Sequence, residues 1–595
     1  MVTGTHPFTA WRARSKDAAL PEGIEIVTGR SGAPTLKVRG VLMHSQYNPR
    51  EEAARFVDSL QLELDKPVAV VGLGLGYHVL ELTRRGHTVA VFEPDIGVAI
   101  AACQVVTGET DFDLTVGSPD FKSDVLAGKE WRNSQWIVHP ATARLHPNYV
   151  SECQNAVAAA SLSGQRLNIA VVGPMYGGSL PIAEFLARAF ARLGHRVKYI
   201  ENSEAWPLYQ TIDHSLHGSK PAGQLNAMLV NLVSEWTYAR VIEFRADICI
   251  ALAQAPLKPD FPKRLRDAGI VSAFWYVENW RHLPYWGDIC AHYDAFFHIQ
   301  PGTFETRLHN AGCPLQAVVL TGCDPEIHAP IQIDPAENAE YSCDISFAGA
   351  GYPNRNRLLS GLTDQKLKIW GVNWTAREIL PFVQHPEQRF TPSMFAKIVA
   401  GSKINLNLHS STASEGVDAE CDAINPRVFE IAACGGFQLC DPCKGLDGCF
   451  DTELEIPTYS SLPDLREKIA YFLNHPKERE DMAKRARKRA LQDHSYDRRA
   501  QQMLDILLPR YASRMLAKGI LKQCTIEEIL RRIENNSPLA EFLATLPPQT
   551  PFTQEAINEH LTTSGITPDH AQALFLYLKD MRDAAESLLA EFENA

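Results

Sequence analysis

Arg427 and Glu430 lie three residues apart in a stretch whose pattern predicts a short helix, so they share one face of its first turn. Asn425 and Pro426 begin the helix, because proline is tolerated where its missing N–H costs nothing. A helix N-terminus beside an arginine suits a diphosphate, and a carboxylate one turn further can accept hydrogen bonds from a ribose diol. Together these groups describe a socket for a nucleotide-diphosphate sugar, and an ordinary helix with a surface ion pair explains the pattern equally well.

Cysteines surround this stretch at positions 434, 440, 443 and 449. The pair Cys440 and Cys443 has the spacing of zinc ligands. However, Cys434 falls on the apolar side of the predicted helix, and Cys440 ends a predicted buried strand. The pattern therefore favours buried thiols, and we predict no metal ligands.

Composition limits the classes of protein that the chain can belong to. Its 595 residues predict several domains, and 45% hydrophobic with 22% charged residues is typical of globular proteins. The net charge, 58 − 70 = −12, argues against sequence-independent nucleic-acid binding. The sequence shows neither an apolar run of about 20 residues nor a secretion signal, so we predict a cytoplasmic protein without a transmembrane segment, its 13 cysteines reduced. The oligomeric state is left open.

Strands with polar ends are predicted around the socket. The strand Ile345 to Ala348 leads into a turn with Gly349 and Gly351, and Arg355 and Arg357 follow at the start of a helix. Two later strands end near Trp374 and near Asn407 and His409. Polar groups at the ends of strands are those expected to border a ligand.

Four motifs over residues 340–505 carry a family resemblance: F-x-G-x-x-x-x-x-R, W-G-x-x-W, L-N-x-H and N-x-R-x-F-E-x-x-A-C-G-G-F. This region resembles the C-terminal half of the CgeB-like (spore-maturation protein) glycosyltransferases, which are GT-B enzymes. The resemblance implies an α/β fold with two Rossmann-like domains facing a cleft. It also implies metal-independent transfer of a sugar from a nucleotide-diphosphate donor to a hydroxyl. The acceptor would be a protein Ser or Thr, as in flagellin, or a polysaccharide.

The resemblance also implies roles for individual residues. Arg427 and Arg357 would contact the diphosphate, with Arg355 as the weaker alternative, and Glu430 would hold the ribose. Asp422 lies eight residues before Glu430, which is the spacing of the E-x7-E motif in retaining enzymes. Since the first position is Asp here, retention or inversion is left open. The remaining predicted donor-binding residues are Gly349, Gly351, Trp374, Asn407, His409 and Asn425, of which Asn407 and His409 would border the sugar or base pocket.

The region 165–330 is predicted to form the acceptor-side half of the GT-B fold. Its strand–turn–helix opening runs from Ile169 to Leu193, and a later strand, Val271 to Tyr276, precedes Glu278. Active groups of open α/β sheets lie at the carboxyl ends of strands. Glu278 is therefore our candidate general base for an inverting reaction, although a solvated loop carboxylate explains the pattern equally well.

An additional Rossmann-like domain is predicted over residues 1–160. Its Gly-rich turn contains Gly72, Gly74 and Gly76, and Glu93 follows Gly76 at the distance where an acid would contact a ribose. This stretch resembles S-adenosylmethionine-dependent methyltransferases and the Rossmann-like domain of the motility-accessory-factor glycosyltransferases that modify flagellin. We favour a domain that catalyses no reaction itself. S-adenosylmethionine is therefore an alternative ligand that we do not favour. Residues 131–149 are predicted to form a loop.

The sequence thus predicts four domains: 1–160, 165–330, 340–510 and a helical appendage over 511–595. Two other functional classes remain open. The chain could be a methyltransferase that works through its first domain, with the rest as a targeting module. It could also be a non-catalytic protein that has kept these folds.

Overall fold

The computed structural model describes residues 4–60, 62–107, 112–117, 134–162, 165–386, 388–411, 423–523, 526–530, 538–548 and 550, together with Ile557, His560 and Leu561. The chain divides into two compact units. The first comprises residues 1–165 and 506–516, and the second comprises residues 166–505 and 517–595.

The first unit contains a five-stranded sheet and a small three-stranded one. The five-stranded sheet has the order β1-β7-β6-β5-β8 and is parallel except for β1, while β2, β3 and β4 form an antiparallel sheet. Its strands are β1 (Gly4–Pro7), β2 (Ile24–Thr28), β3 (Pro34–Val38), β4 (Val41–Leu42), β5 (Val68–Val71), β6 (Val89–Glu93), β7 (Asp113–Val116) and β8 (Gln135–Val138). Its helices are α1 (Phe8–Ser15), α2 (Pro49–Asp58), α3 (Tyr77–Arg84), α4 (Ile96–Val105), α5 (Pro140–Leu145) and α6 (Pro147–Leu162).

The central strands β5 and β6 are buried along their whole length and are apolar except for Glu93 at the end of β6, as expected of parallel strands covered on both faces. The prediction of a loop over residues 131–149 is wrong for the described part, which forms β8, α5 and the start of α6. Its polar residues suggested a loop, but His139 and Thr142 are buried instead.

The first half of the second unit is a six-stranded, fully parallel sheet with the order β10-β9-β11-β12-β13-β14. Its strands are β9 (Asn168–Val172), β10 (Arg196–Ile200), β11 (Ile248–Leu252), β12 (Val271–Tyr276), β13 (Ala295–His298) and β14 (Gln316–Val318). The helices are α7 (Leu180–Arg192), α8 (Trp206–Ser215), α9 (Lys220–Glu243), α10 (Phe261–Asp267), α11 (Trp286–Ile289) and α12 (Thr303–Asn310), with a 3-10 turn at Ser203–Ala205. The carboxyl ends of these strands lie at one edge, where ligands of open α/β sheets bind.

The second half is a five-stranded parallel sheet with the order β17-β16-β15-β18-β19. Its strands are β15 (Cys343–Ala348), β16 (Leu367–Trp370), β17 (Val383–Gln384), β18 (Ser402–Asn407) and β19 (Gln438–Cys440). The helices are α13 (Asn338–Tyr341), α14 (Pro353–Ser360), α15 (Pro392–Gly401), α16 (Arg427–Ala433), α17 (Leu462–Asn474), α18 (Pro476–Asp493), α19 (Tyr496–Gln523), α20 (Ile526–Leu530) and α21 (Pro538–Leu543), with a 3-10 turn at Leu380–Phe382. Gly435 ends α16 in the left-handed conformation, with φ +78°.

The chain returns from the second half to the first between α18 and α19. The Cys323 N–H donates to the His494 carbonyl at 3.0 Å, and the Tyr496 N–H donates to the Cys323 carbonyl at 2.9 Å. Gly322 makes this approach feasible, because a Cβ there would lie 2.5 Å from the His494 carbonyl oxygen. Arg192 on α7 adds an ion pair to Asp497 at 2.7 Å. The two halves are therefore joined by backbone pairing as well as by the chain connection.

These sheets confirm the predicted fold class: an α/β chain with a GT-B pair of Rossmann-like halves, preceded by a further Rossmann-like domain and followed by helices. The domain boundaries stay predictions, and α19 runs through the proposed boundary at residue 510. In the described ranges, the cysteines are unpaired and every helix is too short or too polar to cross a bilayer.

Candidate functional site

A cavity of about 400 Å³ lies between the two halves of the second unit. Both halves contribute polar groups to it. The first half supplies Ile182, Gln254, Val277, Glu278, Asn279, His282, Leu283, Ile299, Gln300 and Thr321, and the second half supplies Tyr352, Ser410, Ser411, Ala423, Ile424, Asn425 and Pro426. A lining that mixes apolar side chains with several polar groups is typical of a small-molecule site.

Glu278 lies in this cavity, directly after β12, where the sequence predicted a cleft residue. Burial raises the pKa of its carboxyl group to about 7. The loop that carries Glu278 is anchored by the Tyr276 hydroxyl, which donates to the Leu283 carbonyl at 2.6 Å. A carboxyl group that titrates near neutral pH on a fixed loop is suited to general-base chemistry.

Asn425 brings an amide to the opposite wall. Its Nδ2 donates to Asn407 Oδ1 at 2.9 Å, and Asn407 Nδ2 donates to Gln438 Oε1 at 3.2 Å. Asn425 Oδ1 is buried without a hydrogen-bond partner among the residues that the structure describes. Asn407, predicted to border the donor pocket, is buried and holds Asn425 in place. Asn425 therefore offers an oriented acceptor to a ligand.

Arg427 and Glu430 form an ion pair, which is the alternative that the sequence left beside a donor socket. The Glu430 side chain is only 4% exposed, and its Oε1 lies 3.8 Å from His328 Nε2. The Arg427 guanidinium is 29% exposed and stacks on the rings of Phe390 and Phe395, at 5.1 and 4.7 Å. Glu430 thus holds the accessible Arg427 guanidinium in place, directly after Pro426. The predicted contact of Glu430 with a ribose stays a prediction.

The Arg355 guanidinium is buried and donates hydrogen bonds to backbone carbonyl groups, so it is not an exposed cation. Its Nη2 and Nε donate to the Leu408 carbonyl at 2.7 and 3.1 Å, and its Nη1 donates to the Ala350 carbonyl at 3.0 Å. Burial lowers its pKa to about 10. Arg357, on the same helix, is exposed. The predicted ranking of Arg357 above Arg355 as a diphosphate contact stays a prediction, and neither arginine lines the cavity.

The predicted glycines and tryptophan pack the turn after β15. A Cβ on Gly351 would lie 2.4 Å from the Asn373 carbonyl oxygen, and a Cβ on Gly349 would lie 3.1 Å from Arg355 Nη1. Trp374 is buried, with its ring edge against Phe347 at 5.6 Å between centroids. Close packing explains why glycine and tryptophan occupy these positions. The predicted contact of Gly349, Gly351 and Trp374 with a donor stays a prediction.

His409 is fully buried and hydrogen-bonded to Asp441. The distance from His409 Nδ1 to Asp441 Oδ1 is 2.7 Å, and the His409 N–H donates to both carboxylate oxygens at 3.0 Å. Burial lowers the pKa of His409, but Asp441, Cys440 and Cys443 raise it well above its usual value. Ser410 and Ser411, which follow His409, line the cavity instead. Asp422 lies outside the described residues.

The Gly-rich turn of the first unit is in contact with the unit's own side chains. Glu93 is buried, and its carboxylate accepts from the Leu73 N–H at 2.7 Å and the Asp95 N–H at 2.9 Å. Burial raises the pKa of Glu93 to about 7. A Cβ on Gly74 would lie 2.4 Å from His44 Nε2, and a Cβ on Gly72 would lie 2.2 Å from Thr142 Oγ1. Gly76 is the N-cap of α3.

Some cavity residues were not predicted. Gln254, His282, Gln300 and Tyr352 line it, but no motif marks them. Gln300 could have been found by the rule that identified Glu278, since it follows the parallel strand β13 at the same edge of the sheet.

Comparisons with known proteins agree with the predicted resemblance. Residues 355–505 match the family model described as glycosyl transferase-like. The chain is 26% identical to the spore protein CgeB of Bacillus subtilis (strain 168) over 154 residues, 24% of this chain and 47% of CgeB. It is 42% identical to an uncharacterized protein of Treponema pallidum (strain Nichols) over 85 residues, 13% of this chain and 29% of that protein. The chain therefore spans less than half the length of either curated relative, and the predicted resemblance to CgeB-like proteins is confirmed over this region.

Among solved structures, the sucrose-phosphate synthase from Thermosynechococcus elongatus is 14% identical, with a TM-score of 0.40, over 57% of this chain and 97% of that chain. Anabaena HepE in complex with UDP and glucose is 13% identical, with a TM-score of 0.38, over 57% of this chain and 99% of that chain.

Proposed function

We propose that this protein is a glycosyltransferase that moves a sugar from a nucleotide-diphosphate donor to a hydroxyl group of an acceptor. The observation that carries this proposal is the cavity between the two halves of the second unit. A carboxyl group with a pKa of about 7 lies on one wall, and an oriented amide lies on the other, two residues before Arg427. The match of residues 355–505 to a glycosyl transferase-like family supports it.

In an inverting reaction, Glu278 accepts the proton of the acceptor hydroxyl. The hydroxyl oxygen then bonds to the anomeric carbon of the donor sugar while the bond from that carbon to the diphosphate oxygen breaks. The nucleoside diphosphate leaves with the bonding electron pair, and the Arg427 guanidinium stabilises the charge that grows on it. Retention through Asp422 is the other route, and Asp422 is outside the described residues.

The acceptor is proposed to be a protein Ser or Thr, flagellin being the model, or a surface polysaccharide. The base of the nucleotide and the sugar are left open. Arg427 supplies positive charge at the proposed diphosphate site, so the transfer is proposed to need no metal ion.

The methyltransferase alternative is not favoured, because the chain's own groups already engage the Gly-rich turn of the first unit. The Leu73 and Leu75 N–H groups donate to Glu93 and to His44 Nε2, both at 2.7 Å. These are the backbone donors and the acid that a bound S-adenosylmethionine would need.

A thermal-shift screen of the full chain against nucleotides, nucleotide sugars and S-adenosylmethionine tests the proposal. A ligand at 100 times its dissociation constant should stabilise the chain by about 2.7 kcal/mol. We expect a nucleoside diphosphate or its sugar to raise the melting temperature, with or without EDTA. A shift with S-adenosylmethionine alone, or a transfer activity that EDTA abolishes and Mn²⁺ restores, would contradict this donor site.

A further inference from the structure

We propose that His409, Cys440 and Cys443 bind a structural zinc ion at the carboxyl ends of β18 and β19, with Asp441 orienting the histidine. This inference goes beyond the proposed glycosyl transfer. In the sequence, the predicted burial of the cysteines outweighed the zinc-ligand spacing of Cys440 and Cys443. Only the fold brings His409 and Asp441 to Cys440.

The first observation is a buried imidazole nitrogen. His409 is 0% exposed, and its Nε2 has no hydrogen-bond partner among the described residues. A carboxylate can only accept hydrogen bonds, so the 2.7 Å contact with Asp441 places a proton on Nδ1. Nε2 is then the ring nitrogen left for a metal ion, which would displace any proton that it carries. Leaving a buried polar atom without a partner destabilises the folded state, and a bound cation would remove that cost.

The second observation is the set of groups around this ring. One ligand atom each from His409, Cys440 and Asp441 lies within 4.8 Å of the others, and all three residues are buried. Cys443 follows two residues after Asp441, and Cys443, like Cys440, raises the pKa of His409. Three potential ligand or orienting groups therefore meet where β18 and β19 end, and Cys443 is their neighbour in the chain.

The chemistry of these groups selects zinc. Two thiolates and an imidazole nitrogen are typical ligands of tetrahedral zinc, and soft thiolate ligands disfavour magnesium and calcium. A carboxylate that binds the other ring nitrogen is the usual outer partner of a zinc-bound histidine, and Asp441 occupies that position.

The position points to a structural role rather than a catalytic one. His409 and Cys440 are fully buried and do not line the cavity, whereas Ser410 and Ser411, directly after His409, do. A metal ion here would fix the ends of β18 and β19 and so hold one wall of the proposed donor site.

Metal content of the purified full-length chain tests this site without any activity measurement. We expect about one zinc ion per chain by elemental analysis. Cys440→Ser and Cys443→Ser should each lose it. Cys449→Ser, which alters another buried cysteine of the same hydrophobic cluster, should keep it. A wild-type chain without zinc after growth with added zinc would overturn the proposal, as would full zinc content in both Cys440→Ser and Cys443→Ser.

Cobalt substitution tests the same site in the wild-type chain, so it does not depend on whether the variants fold. The Co²⁺-loaded protein should show the near-ultraviolet charge-transfer absorption of thiolate ligands and the visible bands of tetrahedral coordination. Absence of the charge-transfer band would overturn the proposal. Both readouts are independent of glycosyl transfer, so failure of this site and failure of the proposed function are separate results.

Discussion

Glu278 is the residue at which the proposed chemistry depends most directly on a shifted pKa. A base must be deprotonated to act, and burial raises the pKa of this carboxyl group to about 7. Turnover of the wild-type protein should therefore rise with pH through about 7. Glu278→Gln should lower turnover by on the order of 10²–10⁴-fold and remove this limb of the pH profile. Steady-state kinetics between pH 5.5 and about 8.5 would measure both effects.

Asp288→Asn, an exposed carboxylate on the nearby α11, is the matched control and should keep the wild-type profile. A Glu278→Gln variant with wild-type turnover would show that Glu278 is not the base, and would leave the retaining route as the remaining interpretation.

The Arg427–Glu430 pair leads to a second prediction. Arg427→Ala should lower turnover by on the order of 10²–10³-fold, and more than it lowers donor affinity, because charge on the leaving diphosphate grows in the transition state. Glu430→Gln should instead weaken donor affinity by about one to two orders of magnitude if the carboxylate binds the ribose. Kinetics with a hydrolysable donor would separate the two effects.

The burial of Glu430 adds a stability effect to this prediction. Arg427→Ala leaves the buried Glu430 carboxylate without its cation, so its melting temperature should fall. Arg427→Lys keeps a positive charge and should stay folded, which makes it the better probe of turnover. Wild-type kinetics in all three variants would contradict the donor-site assignment.

Single residues could be predicted from the sequence where their position relative to a strand or a helix follows a general rule. Glu278 was found because it follows a parallel strand, and Asn425 because it precedes a recognisable short helix. The burial of Arg355 and His409 could not be predicted, because a charged residue in a polar motif looks the same whether it faces a ligand or carbonyl groups of its own chain. In the structure, Arg355 binds the Leu408 carbonyl.

Among the structural elements, the turn between β15 and α14 depends on a glycine contact. Gly351→Ala should lower the free energy of unfolding by about 1–3 kcal/mol, because the new Cβ would meet backbone atoms that cannot give way. Denaturant unfolding of the full chain would measure this. Gly287→Ala, on α11 with nothing within 4 Å of its Cβ, should be neutral or slightly stabilising. Equal stability of both variants would contradict the packing role of Gly351.

Most parallel strands could be predicted, because their short apolar runs end at glycines and polar residues. β12, for instance, covers the six residues that the sequence predicted. The 24-residue helix α9 was missed. Its apolar residues lie on all sides, including the exposed Leu225, Met228, Leu232 and Trp236, so no helical period is visible.

On the scale of a whole unit, the first unit should lose stability in acid. Burial lowers the pKa of His44 to about 3, of His78 to about 4 and of His139 well below its usual value. The unfolded chain binds protons on these histidines below pH 6.5, whereas the folded unit does not. The contribution of these histidines to the free energy of unfolding is therefore fully present above pH 6.5 and is lost as the pH drops toward 4. At pH 5 the loss is about 2 kcal/mol for each of His44 and His78.

Glu93 acts in the opposite direction, because its pKa is raised to about 7 and its contribution is lost as the pH rises. Three histidines outweigh one carboxyl group, so the first melting transition of the full chain should shift to lower temperature between pH 7 and about 5. The exposed His217, replaced in His217→Gln, should not alter the shift. An unchanged transition over this range would refute the assignment of neutral buried histidines.

The pairing of Cys323 with residues 494–496 has a consequence for the order in which the chain folds. The six-stranded sheet is complete in sequence by Val318, but Cys323, which follows it, finds its backbone partners more than 150 residues later. Such distant contacts slow folding, since loop closure precedes the gain from the contact. On the ribosome, the first half would therefore emerge with the Cys323 backbone groups unpaired until residues 494–496 are made, and a nascent chain stopped before His494 would be prone to aggregate.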